Sequence, residues 1–471
     1  MVPADQEGSL MTVQLDDPVD GLDQALAAVD AFDRVLTGGL LRPRPDQEEG
    51  LRGLADAVAG SPLAASVAVA AEKAAAGAAS EEHLVALAAG RTALLGAVHD
   101  ALATRVYAVT GRSSSGVDAP PTAPAAAPNR LAGARAWLCD LARAGWQGLD
   151  RELVAGAEPV VAGMLADPAL RRLASLLDGF AAELDAFCPG AGQDRFPVRR
   201  WADLWTRGML LSDPGYPAAP PSGTVTGRLL PLGVDLHEHS TGVQAQVHAV
   251  FEPADGGPAR LVRASVSAPK PDTVVGAGGW QLLRPHLSLF SALAEGLTME
   301  LTDMPVTDEG DLLWNDDLAR TGGPADPFAT ARVALPAATG SWTAPLDRHP
   351  ARLAEPVFLE GYRADEQDGA VTFALAGSVW EVDVDRLPSA SPLTPQAVAA
   401  SRACIGLLRW DAGRFLLQPL AVEAVKGRRT VALHAGAWAA GTTDKDGARA
   451  EKAATEAVQV LRERAGKLLR S

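Results

Sequence analysis

The chain has 471 residues, of which 47% are hydrophobic and 21% charged, and its 58 acidic and 42 basic side chains leave a net charge of −16. That length exceeds what one core organises, so about two to four domains are expected. The apolar content excludes whole-chain disorder, and the acidity disfavours nonspecific nucleic-acid binding because such a surface repels phosphates.

The best basic clusters are Arg195 with Arg199-Arg200, and Lys426 with Arg428-Arg429; both are short. Three cysteines, Cys139, Cys188 and Cys404, make neither a disulfide scaffold nor zinc-knuckle spacing. Cys139 and Cys404 are expected as buried, inert thiols in helices. The start Met1-Val2-Pro3-Ala4-Asp5-Gln6-Glu7 has no basic n-region before an apolar run, so it does not read as a signal peptide. No uninterrupted apolar stretch reaches the roughly 20 residues of a bilayer span. The alanine-rich run around 62–80 comes nearest, broken by Glu72 and Lys73. No membrane partner is expected, and the cytoplasm is the expected compartment.

Residues 20–107 read as helices. Leu22, Leu26, Val29 and Phe32, then Leu51, Leu54 and Val58, then Leu84, Leu87, Leu94, Leu95, Val98 and Leu102 recur at helical spacing. The alanines between them favour helix and close helix approach. Residues 111–129, with Gly111 to Gly116 followed by Pro120-Pro121, Pro124 and Pro128, read as a flexible linker. A second helical segment covers about 130–188, with Leu173, Leu176, Leu177, Phe180, Leu184 and Phe187 as its stripe, ended by Pro189-Gly190. A short helix at 198–210 places Trp201, Leu204, Trp205 and Met209 on one side, a core pattern rather than a stacking platform for bases.

The period changes after the proline-rich stretch 214–221. Val243, Ala245, Val247, Ala249 and Phe251 alternate with Gln244, Gln246 and His248, the pattern of a half-buried strand. Asp255-Gly256-Gly257 makes a turn, and Val262, Ala264 and Val266 return. With 224–234 this predicts an antiparallel meander or small barrel. Residues 283–295 read as helix, 296–303 as strand, and 308–317 as an acidic loop or short helix. Further strands are expected at 330–335, 355–362, 371–376 and from Trp380 to Val384. A helix at about 394–408 then precedes a hairpin of 413–424 and 429–434 turning at Gly427. A helix from about 445 to 469, striped by Ala454, Val458, Leu461, Ala465 and Leu468, ends the chain either packed on the sheet or free for a partner.

The expected fold is therefore multidomain α+β: helical N-terminal and middle regions, an antiparallel β-rich region with interspersed helices, and a C-terminal helix. The expected parts are residues 1–110, the linker 111–129, a helical segment 130–212, a β-rich domain 213–390 and an α+β segment 391–471.

One local pattern has metal-like spacing. In an extended Asp235-Leu236-His237-Glu238-His239, the odd positions share a face, and His248 on the next strand adds a third imidazole. Asp235, His237, His239 and His248 are thus the candidate ligands for zinc or iron, with a water-activating position. The competing reading leaves these histidines facing solvent beside a turn, and no cofactor is the leading expectation. The acidic set Asp308, Glu309, Asp311, Asp316 and Asp317 lacks calcium-loop order and reads as a solvated loop. The glycine-containing stretches 276–280 and 436–441 lack phosphate-loop and dinucleotide signatures, and no Gly-x-Ser-x-Gly elbow occurs. No catalytic residue is assigned. The leading expectation is a non-catalytic interaction, scaffold or regulatory protein in an intracellular assembly, with other proteins as partners. The alternatives are a metal-assisted hydrolytic enzyme using residues 235–248 and a nucleic-acid-binding accessory protein, nucleic acid being a disfavoured partner.

Overall fold

A computed structural model describes residue 15 and residues 17–112, 128–167, 170–213, 223–239, 242–271, 273–340, 343–375, 378–426 and 429–468. Most of the expected linker 111–129, the proline-rich stretch 214–221, the turn at Ser240-Thr241 and Gly427 lie outside these residues. The architecture is α+β and multidomain, with helices first and sheets after.

Nine helices make up the described helical part: α1 (Leu22–Gly38), α2 (Pro45–Ala57), α3 (Ala64–Ala75), α4 (Glu81–Thr110), α5 (Pro128–Ala144), α6 (Arg151–Ala155), α7 (Ala157–Leu165), α8 (Arg171–Ala186) and α9 (Val198–Leu211). Their apolar stripes merge into one core that runs from Val29 through Leu141 and Phe180 to Leu210. Helices from both sides of the 111–129 stretch share it. Trp201 and Trp205 are fully buried there; Trp201 meets Trp146 edge-on at 5.5 Å, and the Trp205 indole N–H donates to the Leu138 carbonyl at 2.9 Å. The helical period of Trp201, Leu204, Trp205 and Met209 did mean core packing.

Helix α4 is the longest at 30 residues, about 45 Å at 1.5 Å per residue. Leu84, Leu87 and Leu95 pack in the helical core, whereas Val98, Leu102 and Val106 pack in the β-half core. Among the described residues it is the one helix long and apolar enough to cross a bilayer, rather than the 62–80 run that the sequence ranked nearest. Half of that apolar window is buried within the protein.

The β-half begins with β1 (Gly223–Glu238), β2 (Gly242–Pro253) and β3 (Arg260–Pro269). Helices α10 (Ala277–Leu282) and α11 (Leu287–Glu295) follow, then β4 (Leu297–Val306), β5 (Asp311–Leu312) and β6 (Ala319–Pro324). Strand β1 pairs with both β2 and β4, so β1-β2-β3-β5-β4 closes into a five-stranded barrel with β6 appended to β4. Its β3–β5 pairing is parallel, and two helices span β3 to β4, the layout of an OB-type barrel. Leu229, Val247, Phe251, Val262, Ala264, Met299 and Leu301 belong to the core shared with Trp280, Leu289 and Phe290 of α10 and α11.

Helix α12 (Pro327–Val333) stands where the sequence predicted a strand at 330–335. Pro327 at its first turn and the Asp326 carboxylate accepting from Phe328 N start it, and it buries Phe328 and Ala331. A second sheet has the order β7-β11-β12-β10-β9-β8, with β13 on β12. Its strands are β7 (Ala354–Glu360), β8 (Arg363–Gln367), β9 (Ala370–Leu375), β10 (Ser378–Val382), β11 (Ser401–Asp411), β12 (Arg414–Lys426) and β13 (Arg429–His434). The helix expected at 394–408 stops early: α13 (Pro395–Ala399) is capped by Thr394, and β11 takes over at Ser401. Cys404 is therefore a buried strand residue, not a helical one. Residues 403–409 are buried on both faces, so the period that separates strand from helix is missing from the sequence there. Val384 lies in a short 3-10 turn after β10 rather than in the strand. Helix α14 (Lys445–Leu468) ends the described chain and packs against α10.

Loop residues 343–353 tie the two halves together. Leu346 enters the helical core. Asp347 pairs with Arg207 at 2.7 Å, Arg172 at 3.5 Å and its neighbour Arg352. Arg348 pairs with Asp100 at 3.1 Å. Nearby, Glu355 accepts from Tyr107 Oη at 3.2 Å and pairs with Arg112 at 3.4 Å.

Candidate functional site

Strand pairing arranges the outer face of the barrel in rows. Gly233, His248, Arg263 and Asp311 are cross-strand neighbours on β1, β2, β3 and β5. Asp235, Gln246 and Ser265 form the next row, and His237, Gln244 and Ser267 the third. The sequence reading left the Gln244, Gln246 and His248 side of β2 to solvent. That is correct for Gln244, which is exposed, but His248 is 1% exposed because the second sheet covers that end. The sheets meet at Gly233, where a Cβ atom would lie 2.6 Å from Leu420 Cβ; only glycine lets β1 and β12 come so close. Leu230, Leu232, Val250 and Leu261 fill the rest of this interface with Ile405, Ala421 and Phe328.

Asp235 lies inside the interface, 2% exposed. Its carboxylate accepts from Arg409 Nη2 at 2.5 Å and from Gln418 Nε2 at 2.8 Å, and Arg409 Nε donates back to Gln418 Oε1. His237 Nε2 stands 2.8 Å from the same carboxylate at the solvent edge. Burial by itself raises the Asp235 pKa, but His237, Arg409 and Gln418 outweigh it and hold the carboxyl below the usual range. The arrangement is a closed ionic tie across two sheets. Arg409 and Gln418 occupy the carboxylate that a metal would need.

The four proposed ligands are not assembled. Asp235 and His237 meet; His239 is exposed, its backbone N–H donating to Gly242 O at 2.8 Å. His248 is fully enclosed, and burial holds its pKa down to about 3, so the ring is neutral. Its Nε2 has no hydrogen-bond partner among the described residues. Among the described residues no group of three or more His, Cys, Asp or Glu side chains is placed to hold a metal ion. The residues expected as zinc or iron ligands, Asp235, His237, His239 and His248, therefore do not converge as one set; an arginine and a glutamine from the second sheet, which the local pattern does not reveal, bind the Asp235 carboxylate.

The acidic segment 308–317 also has structural partners. Asp311 pairs with Arg263 at 2.9 Å, and Asp316 accepts from Trp314 Nε1 at 2.5 Å and Ser288 N at 3.3 Å. Asp308 is exposed. The thiols of Cys139 and Cys404 are both pushed up by burial, Cys139 to about 11, which keeps them protonated and unreactive at neutral pH.

A second buried ionic cluster has no counterpart in the sequence reading. Arg91 of α4 donates to both Asp33 oxygens at 2.6 and 2.9 Å and lies 2.7 Å from Asp203 of α9. His349 from the tying loop reaches Asp203 at 3.5 Å. Burial raises the Asp203 pKa on its own, yet His349 and Arg91 bring it down to about 2. A signal existed for Arg91: it lies at helical spacing between Leu87 and Leu94-Leu95, on the apolar face of α4.

Among the described residues, three larger cavities stand out. One of about 190 Å³ lies between Leu232, Leu293, Leu297, Pro327 and His434. A second, of about 270 Å³, is lined by Val274, Val275, Ser389 and the alanines of α14. The largest, an open groove of about 580 Å³, lies between α6–α7 and α8. Val154, Ala157, Val161, Leu165, Ala181 and Ala182 give it an apolar lining, and Glu158, Asp178 and Asp185 rim it with carboxylates. No family model, no curated protein and no solved structure matches the chain.

Proposed function

We propose that the chain is a non-catalytic interaction or scaffold protein within an intracellular assembly. The observation that carries this reading is the α6–α8 groove: the ionic clusters described above are spent on internal ties, whereas among the described residues no element covers this apolar surface. Leu165 there is 50% exposed. Exposed apolar surface of this kind marks partner sites more often than chemistry. The Arg91 cluster, through His349, ties the helical part to the 343–353 loop, and the Asp235 cluster ties the barrel to the second sheet, which suits a protein that positions partners.

The test is affinity purification of the full chain from its source cells, beside an Ala182→Trp variant that fills the groove. Support is a stoichiometric partner retained by the first and lost from the second. The reading fails when the wild-type chain purifies alone at its native level. The OB-type strand order favours a second reading, a ligand laid along Gln244, Gln246, Ser265 and Ser267 on the uncovered part of the barrel face. Fold alone does not assign that function; titration with labelled single-stranded DNA, and loss of binding in Gln244→Glu, tests it.

A further inference from the structure

We propose that the groove between α6–α7 and α8 receives a basic amphipathic helix from a partner protein. This deepens the interaction reading and rests on it. The lining residues follow helical geometry on both walls. Helix α8 presents Asp178, Ala181, Ala182 and Asp185, at positions i, i+3, i+4 and i+7, and α7 presents Ala157, Glu158, Val161, Ala162 and Leu165. Alanines on the walls allow a third helix to approach at the short end of the usual spacing, about 8 Å between axes. Half-exposed Leu165, with the exposed Ala155, Ala162 and Ala182, then supplies the apolar surface that its stripe covers.

Charge decides the occupant. Glu158, Asp178 and Asp185 are exposed, and among the described residues no ion pair or side-chain hydrogen bond engages them; the single base among the lining residues is Arg151. An apolar surface ringed by unpaired carboxylates repels an acidic or phosphorylated partner and matches a helix with lysines or arginines beside its apolar stripe. Asp178 and Asp185 are seven residues apart on one helix, about 10.5 Å. The complementary bases therefore sit about two turns apart on the partner. The net charge of −16 draws such a partner in from a distance.

The test titrates the full chain into a labelled 18-residue leucine–lysine peptide designed as an amphipathic helix, and into its leucine–glutamate counterpart, by fluorescence anisotropy at low salt. The lysine peptide binds the wild-type chain and the glutamate peptide does not. Asp178→Lys with Asp185→Lys weakens the lysine peptide by about tenfold or more and admits the glutamate peptide. Ala182→Trp leaves every charge in place and also weakens the lysine peptide, which separates groove binding from general attraction to an acidic protein. All the changed side chains lie at the surface, and circular dichroism confirms the fold. Equal binding of both peptides, or lysine-peptide affinity untouched by either variant, overturns the proposal. So does concentration-dependent self-association that Ala182→Trp abolishes, which assigns the groove to a second copy. Should a native partner be lost with Ala182→Trp while the lysine peptide never binds, the helix chemistry fails and the scaffold reading stands; absence of both results removes the two together.

Discussion

Replacing Arg91 by Met removes one cation from the core of the helical part while keeping much of its volume. The side chains of Arg91 and Asp33 are each 2% exposed, and the guanidinium satisfies both Asp33 oxygens and faces Asp203. The variant takes both guanidinium hydrogen bonds from the buried Asp33 carboxylate and leaves it only the weaker influence of Arg199. Breaking a buried pair from one side costs about 3–5 kcal/mol, a large part of the ~5–15 kcal/mol that holds a domain folded. Burial already raises the Asp33 pKa with Arg91 present, and loss of the guanidinium raises it further. A folded pKa above the unfolded one makes stability fall as pH rises, by up to about 1.4 kcal/mol per unit until the folded pKa is passed. Relative to the wild-type chain, Arg91→Met is thus less destabilised at pH 5.5 than at pH 7.5, the readout being urea unfolding followed by far-ultraviolet circular dichroism. Adding Asp33→Asn removes the pH dependence and returns part of the loss. A penalty under about 1 kcal/mol, or equal penalties at both pH values with and without Asp33→Asn, would refute the reasoning.

Asp347→Ala cuts the contacts to Arg207, Arg172 and Arg352 and weakens docking of the tying loop by about 1–2 kcal/mol; hydrogen exchange at 345–353 speeds up, and unchanged exchange sinks the idea. Asp203 is held down to about 2, so its contribution is present above the unfolded value and lost as pH falls through about 2. Thermal unfolding between pH 4 and pH 2 records that loss, and Asp203→Asn should shrink it. Gly233→Val drives a side chain into Leu420 and costs about 1–3 kcal/mol or more, read as a lowered melting temperature; an unchanged melting temperature means the sheets do not meet there. After growth in zinc-supplemented medium, elemental analysis should find no stoichiometric zinc or iron, and chelators should leave the melting temperature unmoved. Stoichiometric metal lost from His237→Ala restores the metal site.

Legibility followed the number of buried faces. Helices with one apolar stripe, such as α8 and α9, were readable, and so was β2, whose barrel side alternates cleanly. Reading failed at β11, which is buried on both sides by the barrel and its own sheet, and at α12, whose seven residues are too short to show a period. For the candidate site, the sequence placed Asp235 and His237 on one face, as found, yet missed Arg409 and Gln418, which lie 174 and 183 positions further along.

By itself, the sequence determined the α+β class, the change from a helical to a strand period after about residue 221, and the core role of Trp201 and Trp205. These follow from local periodicity, which each segment carries on its own. The tertiary structure alone decided that β1 closes a barrel with β4, that the second sheet covers His248, and that Asp235 pairs with Arg409. It also decided that Glu158, Asp178 and Asp185 gather on one groove. Those outcomes depend on contacts between residues distant in the chain, where a charge in the sequence carries no mark of its eventual partner.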